Sequence, residues 1–503
     1  MLSLGAVGRL QKRLSTPHIR ILLLITALFF VTRLTSAIPS TQSYYHGGNE
    51  AIYSFMAQEY SWENPLTPTI LGTPAFSVTP LFSYLVRGSF ALFGTSELAA
   101  RLPSLLAATA LLFVIYKWAR LRLPANSSLV TVVLLATAPW FFLWAGRAQT
   151  DMVLIFWMTL SLYLFTRSLD EERWWPWVGL AFGFALFTKQ PAAILLPVFA
   201  LTVFFRPEGK ARKKEWIRKG MPWILLGTLP VLAWFVYNYL SHPTELLTDF
   251  RGETLRGLGL TENLSRTVSY GLLLGPGAAV LLLAAIGLKT GKRRRERPEF
   301  WFVVLYLPYV LLRTPFSHDY YTLPLIPVFA LWAGGGVEWF RSASAGPFQA
   351  PSSTFSRKLS VALVLVVLLA GVLVAATVVR TGDAGYDLLR PGGEALWRFR
   401  QDHPLNETLV ISTKEVRTSL LWYGHLSDRP GPYRLLTPYN KMSEYSSETL
   451  NQTLGTSNAT YVFFVLREED RGGLPESGYP VFWQGEYDRR PLDYRSLTIL
   501  RLR

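Results

Sequence analysis

Apolar runs long enough to cross a bilayer recur from near the N-terminus to about residue 380, and this recurrence limits the possible folds more than any other feature. The hydrocarbon core of a membrane needs about 20 apolar residues per helix. Runs that meet or approach this length lie near 21–38, 97–118, 127–146, 150–167, 174–188, 190–206, 221–240, 267–288, 300–313, 320–340 and 358–379, about eleven spans. Composition agrees: half of the 503 residues are hydrophobic and only 17% are charged, against about a quarter in soluble proteins. An ordinary soluble enzyme, a disordered chain and a coiled coil are thereby excluded. With 0 cysteines there is no disulfide framework, thiolate zinc site or cysteine nucleophile. The first run follows Arg9, Lys12, Arg13 and Arg20, as in a signal peptide, but lacks a small-x-small cleavage site. It reads as a retained helix.

The net charge of +16 would suit a nucleic-acid binder. Its distribution argues otherwise. If the N-terminus is cytoplasmic, the loops near 117–126, 168–173, 207–220, 289–299 and 341–357 share that side. They hold Lys117, Arg120 and Arg122; Arg173; Lys210, Arg212, Lys213, Lys214, Arg218 and Lys219; Lys292, Arg293, Arg294, Arg295 and Arg297; and Arg341 and Arg357. Loops on the other side, at 39–96, 147–149, 241–266 and 314–319, are much poorer in Lys and Arg. This is the positive-inside pattern, so most of the basic excess marks topology. The expected partners are membrane lipids, with no nucleic acid. Within the long first outer loop, segment 80–94 is too short and amphipathic to span and reads as a helix lying in the interface.

Beyond the last run the chain turns polar. Apolar β-rich stretches at Thr408–Ser412 and Tyr461–Leu466 alternate with helical stretches at 394–402 and 415–423. The sequence therefore predicts an all-α multi-span membrane domain over 1–380 and a small extracytoplasmic α/β domain over 381–503.

Ionisable residues at or inside membrane helices are expensive and are functional candidates by default. Four clusters fall on the outer side: Asn49-Glu50 with Tyr53; Arg147 through Asp151; Thr188-Lys189-Gln190-Pro191; and Arg313 through Tyr321, with His318, Tyr320 and Tyr321. Each has a bland reading. Glu50 suits the first turn of a helix, Asp151 suits an N-cap, Lys189 suits a snorkelling lysine, and His318 suits an aromatic belt. Convergence on one face favours chemistry. A carboxylate activates an incoming hydroxyl, and cations stabilise charge developing on a departing phosphate.

The ordered series of an acidic pair in a long first loop, Arg147-x-x-x-Asp151-Met152, Thr188-Lys189-x-Pro191 and His318-x-Tyr320-Tyr321 resembles the GT-C glycosyltransferases. In pattern it is similar to the protein O-mannosyltransferases and the aminoarabinose–lipid A transferases. The stretch Glu97-Leu98-Ala99-Ala100-Arg101-Leu102-Pro103-Ser104 strengthens the resemblance, which covers roughly residues 20–340. It implies a GT-C-like multi-span enzyme of a prokaryotic plasma membrane. Such an enzyme takes a sugar from a polyprenyl-phosphate donor and passes it to an acceptor hydroxyl on protein, lipid or glycan, with no cofactor required. Carried over by position, Glu50 and Asp151 are the catalytic carboxylates, and Lys189, Arg313 and His318 bind the donor phosphate. Asn49, Tyr53, Arg147, Tyr320 and Tyr321 contact substrate. Two departures stand out. Asn49 replaces the family's usual aspartate, so either Glu50 takes over as base or the chain is impaired. Val78-Thr79-Pro80 lacks the basic residue that relatives carry there.

The competing reading is a transporter or flippase of lipid-linked glycans, which should place its ionisable groups near the bilayer midplane on broken helices. Here they sit at outer ends. A divalent metal is not required by these residues: Asp151 near Glu50 could hold one, but oxygen-rich sites usually need more ligands.

Overall fold

A computed structural model describes residues 16–37, 47–60, 65–70, 73–76, 79–255, 276–291, 293–312 and 319–343. It also describes the strands at 408–412, 435–436, 461–466, 481–486 and 496–501. The described part is mostly helical. In chain order the helices are α1 (Pro17–Ala37), α2 (Gly47–Glu59), α3 (Leu81–Phe93), α4 (Glu97–Ala119), α5 (Ala125–Ala136), α6 (Pro139–Trp144) and α7 (Thr150–Ser168). They continue with α8 (Trp175–Thr188), α9 (Leu195–Phe205), α10 (Lys210–Ser241), α11 (Pro243–Leu255), α12 (Ala278–Thr290), α13 (Pro298–Leu312) and α14 (Ile326–Ala343). The chain divides into two compact units. One comprises Met1–Thr35, Ala75–Leu85 and Arg101–Val378; the other comprises Ser36–Pro74, Val86–Ala100 and Val379–Arg503.

Four segments among the described residues are long and apolar enough to cross a membrane: Pro17–Leu34, Glu97–Ala119, Lys210–Ser241 and Tyr320–Ser342. Shorter apolar helices cover Leu81–Phe93, Ala125–Ala136, Gln190–Phe205, Val280–Thr290 and Pro298–Leu311. The eleven expected spans therefore do not all appear as single helices, and proline chemistry accounts for two of the differences. The 127–146 run breaks because Ala138, which precedes Pro139, adopts an extended conformation (φ −62°, ψ 123°), the state that proline imposes on its predecessor. The 190–206 run begins as a 3-10 turn over Gln190–Ile194, with Pro191 in its first positions. The span expected at 358–379 lies outside the described residues.

Lipid is legible on two helices. Leu23, Leu24, Leu28 and Val31 on α1, and Leu225, Leu226, Leu229, Leu232 and Leu240 on α10, are all exposed. A large continuous apolar surface of this kind is a liability in water and the expected state in hydrocarbon. At about 1.5 Å rise per residue, the 32 residues of α10 outrun a hydrocarbon core of about 30 Å. Its first turns, rich in Lys and Arg, can therefore stand clear of the core.

Close backbone packing fixes the helix that leads to Lys189. A Cβ built on Gly179 would meet the Trp223 carbonyl oxygen at 2.1 Å, and one on Gly183 would meet that of Gly227 at 2.2 Å. Only glycine lets α8 and α10 approach this closely, as small residues do between membrane helices. The same device joins α12 to α14, where a Cβ on Gly287 would lie 1.9 Å from the Trp332 carbonyl oxygen.

Two short strands, β1 (Thr69–Ile70) and β2 (Thr73–Pro74), pair antiparallel, and later in the chain five strands form one sheet in the order β4-β3-β5-β7-β6: β3 (Thr408–Ser412), β4 (Leu435–Leu436), β5 (Tyr461–Leu466), β6 (Val481–Glu486) and β7 (Ser496–Arg501). β3 runs parallel to β4 and β5, with Thr408 opposite Tyr461, whereas β7 is antiparallel to both β5 and β6. The two β-rich stretches expected from sequence are β3 and β5. Parallel neighbours need crossover connections; the helices expected at 394–402 and 415–423 lie outside the described residues.

Candidate functional site

The N-terminus of α7 is set by its neighbours. Gln149 is the N-cap, in an extended conformation (φ −129°, ψ 143°). Ser104 of α4 holds it: Ser104 Oγ donates to the Gln149 carbonyl at 3.0 Å, and the Gln149 N–H donates back to Oγ at 3.4 Å. Asp151 falls in the first turn of α7, where the helix dipole favours a carboxylate. Thr150 Oγ1 donates to Asp151 Oδ2 at 3.4 Å. Asp151 is thus not the N-cap that one bland reading made it.

Lys189 arrives from α8. The helix ends at Thr188, and Lys189 turns extended (φ −166°, ψ 141°) two residues ahead of Pro191. Its Nζ donates to Asp151 Oδ1 at 3.0 Å, and the two side chains are only 10% and 3% exposed. The ring centres of Tyr320 and Tyr321 lie 5.0 and 5.2 Å from Nζ. Both tyrosines come from a 3-10 turn over Asp319–Leu325, and Trp144 of α6 packs edge-on against Tyr320 at 5.3 Å. Desolvating an ion pair is expensive and is recovered only with good geometry and further polar support. Here the aromatic faces supply cation–π attraction. A snorkelling lysine would carry its ammonium to water; this one keeps it in a dry, aromatic-lined pair.

Four residues singled out separately in the sequence (Asp151, Lys189, Tyr320 and Tyr321) are therefore brought together, and Arg147, also buried, lies in the short segment leading to α7. Glu50 and Tyr53 lie in the other compact unit. Glu50 occupies the first turn of α2 and is 0% exposed, Tyr53 is buried one turn on, and the Glu50 carbonyl accepts Ser54 Oγ at 2.8 Å. In that unit Arg87 Nη1 donates to the Gln58 carbonyl at 2.9 Å, tying α3 to the end of α2. The Asn49 side chain, Arg313 and His318 lie outside the described residues. Among the described residues, no group of three or more His, Asp or Glu could hold a metal ion.

Sequence reasoning passed over two buried polar residues. Arg33 of α1 is 3% exposed, with its guanidinium carbon 4.2 Å from the Phe142 ring centre. Its signal was available: a lone cation inside an apolar run. Gln149 falls inside the Arg147–Asp151 cluster, and nothing in its spacing distinguishes it.

Residues 77–234 match the family described as Dolichyl-phosphate-mannose-protein mannosyltransferase. A protein of Aquifex aeolicus, described as uncharacterized, is 26% identical over 299 residues, which is 56% of this chain and 58% of that one. The chain thus matches under two thirds of that relative's length. Among solved structures, ArnT from Cupriavidus metallidurans bound to undecaprenyl phosphate superposes with a TM-score of 0.68 at 16% identity, over 95% of this chain and 97% of that one. The oligosaccharyltransferase AglB from Archaeoglobus fulgidus, in complex with an inhibitory peptide and a dolichol-phosphate, gives 0.57 at 13% identity, over 89% and 69%. The arabinofuranosyltransferase AftD from Mycobacteria gives 0.54 at 15% identity, over 96% and 40%. At these identities the likeness is one of fold. All three are GT-C glycosyltransferases, the superfamily that the ordered sequence clusters resemble.

Proposed function

We propose that this chain, a mostly helical protein with the GT-C fold, is a membrane glycosyltransferase. It moves a sugar from a polyprenyl-phosphate carrier to an acceptor hydroxyl at the outer membrane face. The single observation that carries the reading is the buried Asp151–Lys189 pair, with two tyrosine rings over the lysine. A dry, pre-positioned ammonium is suited to receive a phosphate, where each unit of charge counts for more than in water. Two structures similar in fold are bound to lipid phosphates, undecaprenyl phosphate in one and a dolichol-phosphate in the other.

In the proposed reaction the acceptor oxygen attacks the anomeric carbon while the bond from that carbon to the phosphate oxygen breaks. The bonding pair leaves with the polyprenyl phosphate. A phosphate monoester has a second pKa of about 6, so it departs without a general acid when cations meet its charge. Lys189 is the first such cation, and Arg313 and His318 are proposed to join it on sequence position alone. The acceptor hydroxyl must lose its proton as it attacks, and a carboxylate receives it. Asp151 is already engaged by Lys189 and serves to hold the lysine in place. Glu50, in the first turn of α2, is proposed as the proton acceptor on the position it shares with the first-loop carboxylate of the resembling family. Arg147, Tyr53, Tyr320, Tyr321 and Asn49 are the substrate contacts in this reading.

The test is direct. The full chain, purified in detergent, is incubated with a panel of polyprenyl-phosphate sugars and hydroxyl acceptors, and products are read by mass spectrometry. Release of polyprenyl phosphate with sugar on the acceptor is the expected result. A protein that moves intact donor across vesicles and releases no polyprenyl phosphate would be a transporter.

A further inference from the structure

Gln149 stands between Arg147 and Asp151 and is only 2% exposed. Its backbone is committed at both ends to Ser104, so the residue is held rigidly. Its side chain is not committed. It makes no capping bond to α7, and among the described residues its Oε1 is buried without a hydrogen-bond partner. Buried polar atoms in native proteins are nearly all paired, and one left unpaired is destabilising. A leucine or methionine would fill the position without that penalty. The amide therefore has a use that the unliganded chain does not reveal.

Chemistry narrows the partner. A carbonyl oxygen accepts only, so it pairs with a donor and not with an ionised phosphate or carboxylate. Two residues on, Asp151 and Lys189 offer a cation to an anion. The site thus pairs a charged seat with a neutral acceptor, and a phosphosugar has both complementary parts: a phosphate and a ring of hydroxyls.

We propose that Gln149 is a specificity-determining residue whose side-chain carbonyl accepts a hydrogen bond from one hydroxyl of the transferred sugar. The inference rests on the glycosyl-transfer reading above. A pocket built to bond a hydroxyl discriminates sharply against analogues lacking it, so this residue would help decide which sugar is accepted.

The experiment uses the full chain in detergent. Polyprenyl-phosphate esters of mannose, galactose and arabinose are offered with water alone and, in a second arm, with an acceptor alcohol, and the best donor is then offered as its monodeoxy analogues. Gln149→Met keeps length and removes the acceptor. It should lower kcat/KM for hydrolysis by ~10–100-fold. One monodeoxy analogue should suffer a similar loss with the wild type and no further loss with Gln149→Met. The melting temperature of the variant without donor should equal or exceed that of the wild type. The inference is overturned if every deoxy penalty persists in the variant, if hydrolysis is unchanged and only transfer to an acceptor alcohol falls, or if the donor-free variant melts lower. A wild type that releases polyprenyl phosphate from none of the donors overturns the glycosyl-transfer reading, and this inference with it.

Discussion

The two ends of α7 carry the same kinds of side chain in opposite circumstances. At its N-terminal end Asp151 has one lysine, both groups are nearly dry, and aromatic rings close over the cation. At its C-terminal end Arg167 and Arg173 both pair with Glu171, Trp174 Nε1 donates to it at 3.4 Å, and Glu172 meets Lys219 of α10. Those groups are a quarter to three quarters exposed. Exposed pairs are screened and individually worth little, so many can be assembled and any one lost. A single buried pair is costly to make and costlier to break. The C-terminal end is built as a redundant clasp between helices, and the N-terminal end is the proposed site.

The sharpest way to break this contrast is Lys189→Ala. It leaves Asp151 buried opposite no charge, a loss of roughly 3–5 kcal/mol for pairs of this kind, and it should also abolish donor binding. The double variant Lys189→Met with Asp151→Asn should recover most of the melting temperature and none of the turnover. A double variant as unstable as the single would show that the pair is not the source of the loss.

A smaller effect is expected at Gly183. Alanine there drives a methyl group into the Gly227 carbonyl, 2.2 Å from the ideal Cβ position. Overpacking of this sort costs about 1–3 kcal/mol. Because α8 leads directly to Lys189, the variant should raise KM for donor as well as lower stability. A thermal shift with unaltered KM would separate helix packing from the site.

The smallest effect belongs to the clasp. Partial desolvation opposes it, but the bond from Arg173, the charges of Arg167 and Arg173 and the bond from Trp174 hold the Glu171 carboxyl below the ordinary carboxylate range. A depressed pKa means stabilisation that is present above the unfolded-state value of about 4.3 and lost as pH falls through the lower folded value. Glu171→Gln should therefore melt slightly below the wild type at neutral pH. The gap should close in high salt and again below about pH 4. A gap indifferent to both would mean that Glu171 acts by packing rather than by charge.

Asp151, Lys189, Tyr320 and Tyr321 were legible as candidates because each interrupts or ends an apolar run, where polar side chains are conspicuous. Their pairing was not legible: periodicity and charge bias give spans and sidedness, and neither says which helices are neighbours. The close approach that guides α8 depends on Gly179, Gly183 and Gly227 facing one another, which no single segment reveals. Breaks at Pro139 and Pro191 were visible as residues, but a hydropathy reading spans them because the flanking apolar runs are continuous. β3 and β5 were found by their β-branched and aromatic residues. Their parallel register depends on contacts across the 48 positions that separate Ser412 from Tyr461.

The central proposal is a division of labour: Glu50 takes the proton and Asp151 holds the lysine that receives the phosphate. It is tested most directly by measuring donor binding and sugar transfer side by side for Glu50→Gln and Asp151→Asn. Glu50→Gln preserves shape and removes basicity. It should cut transfer by ~10²–10⁴ and leave donor affinity close to that of the wild type, whereas Asp151→Asn should weaken donor binding as well. Wild-type turnover in Glu50→Gln, with transfer abolished and donor binding intact in Asp151→Asn, would contradict the account and make Asp151 the base.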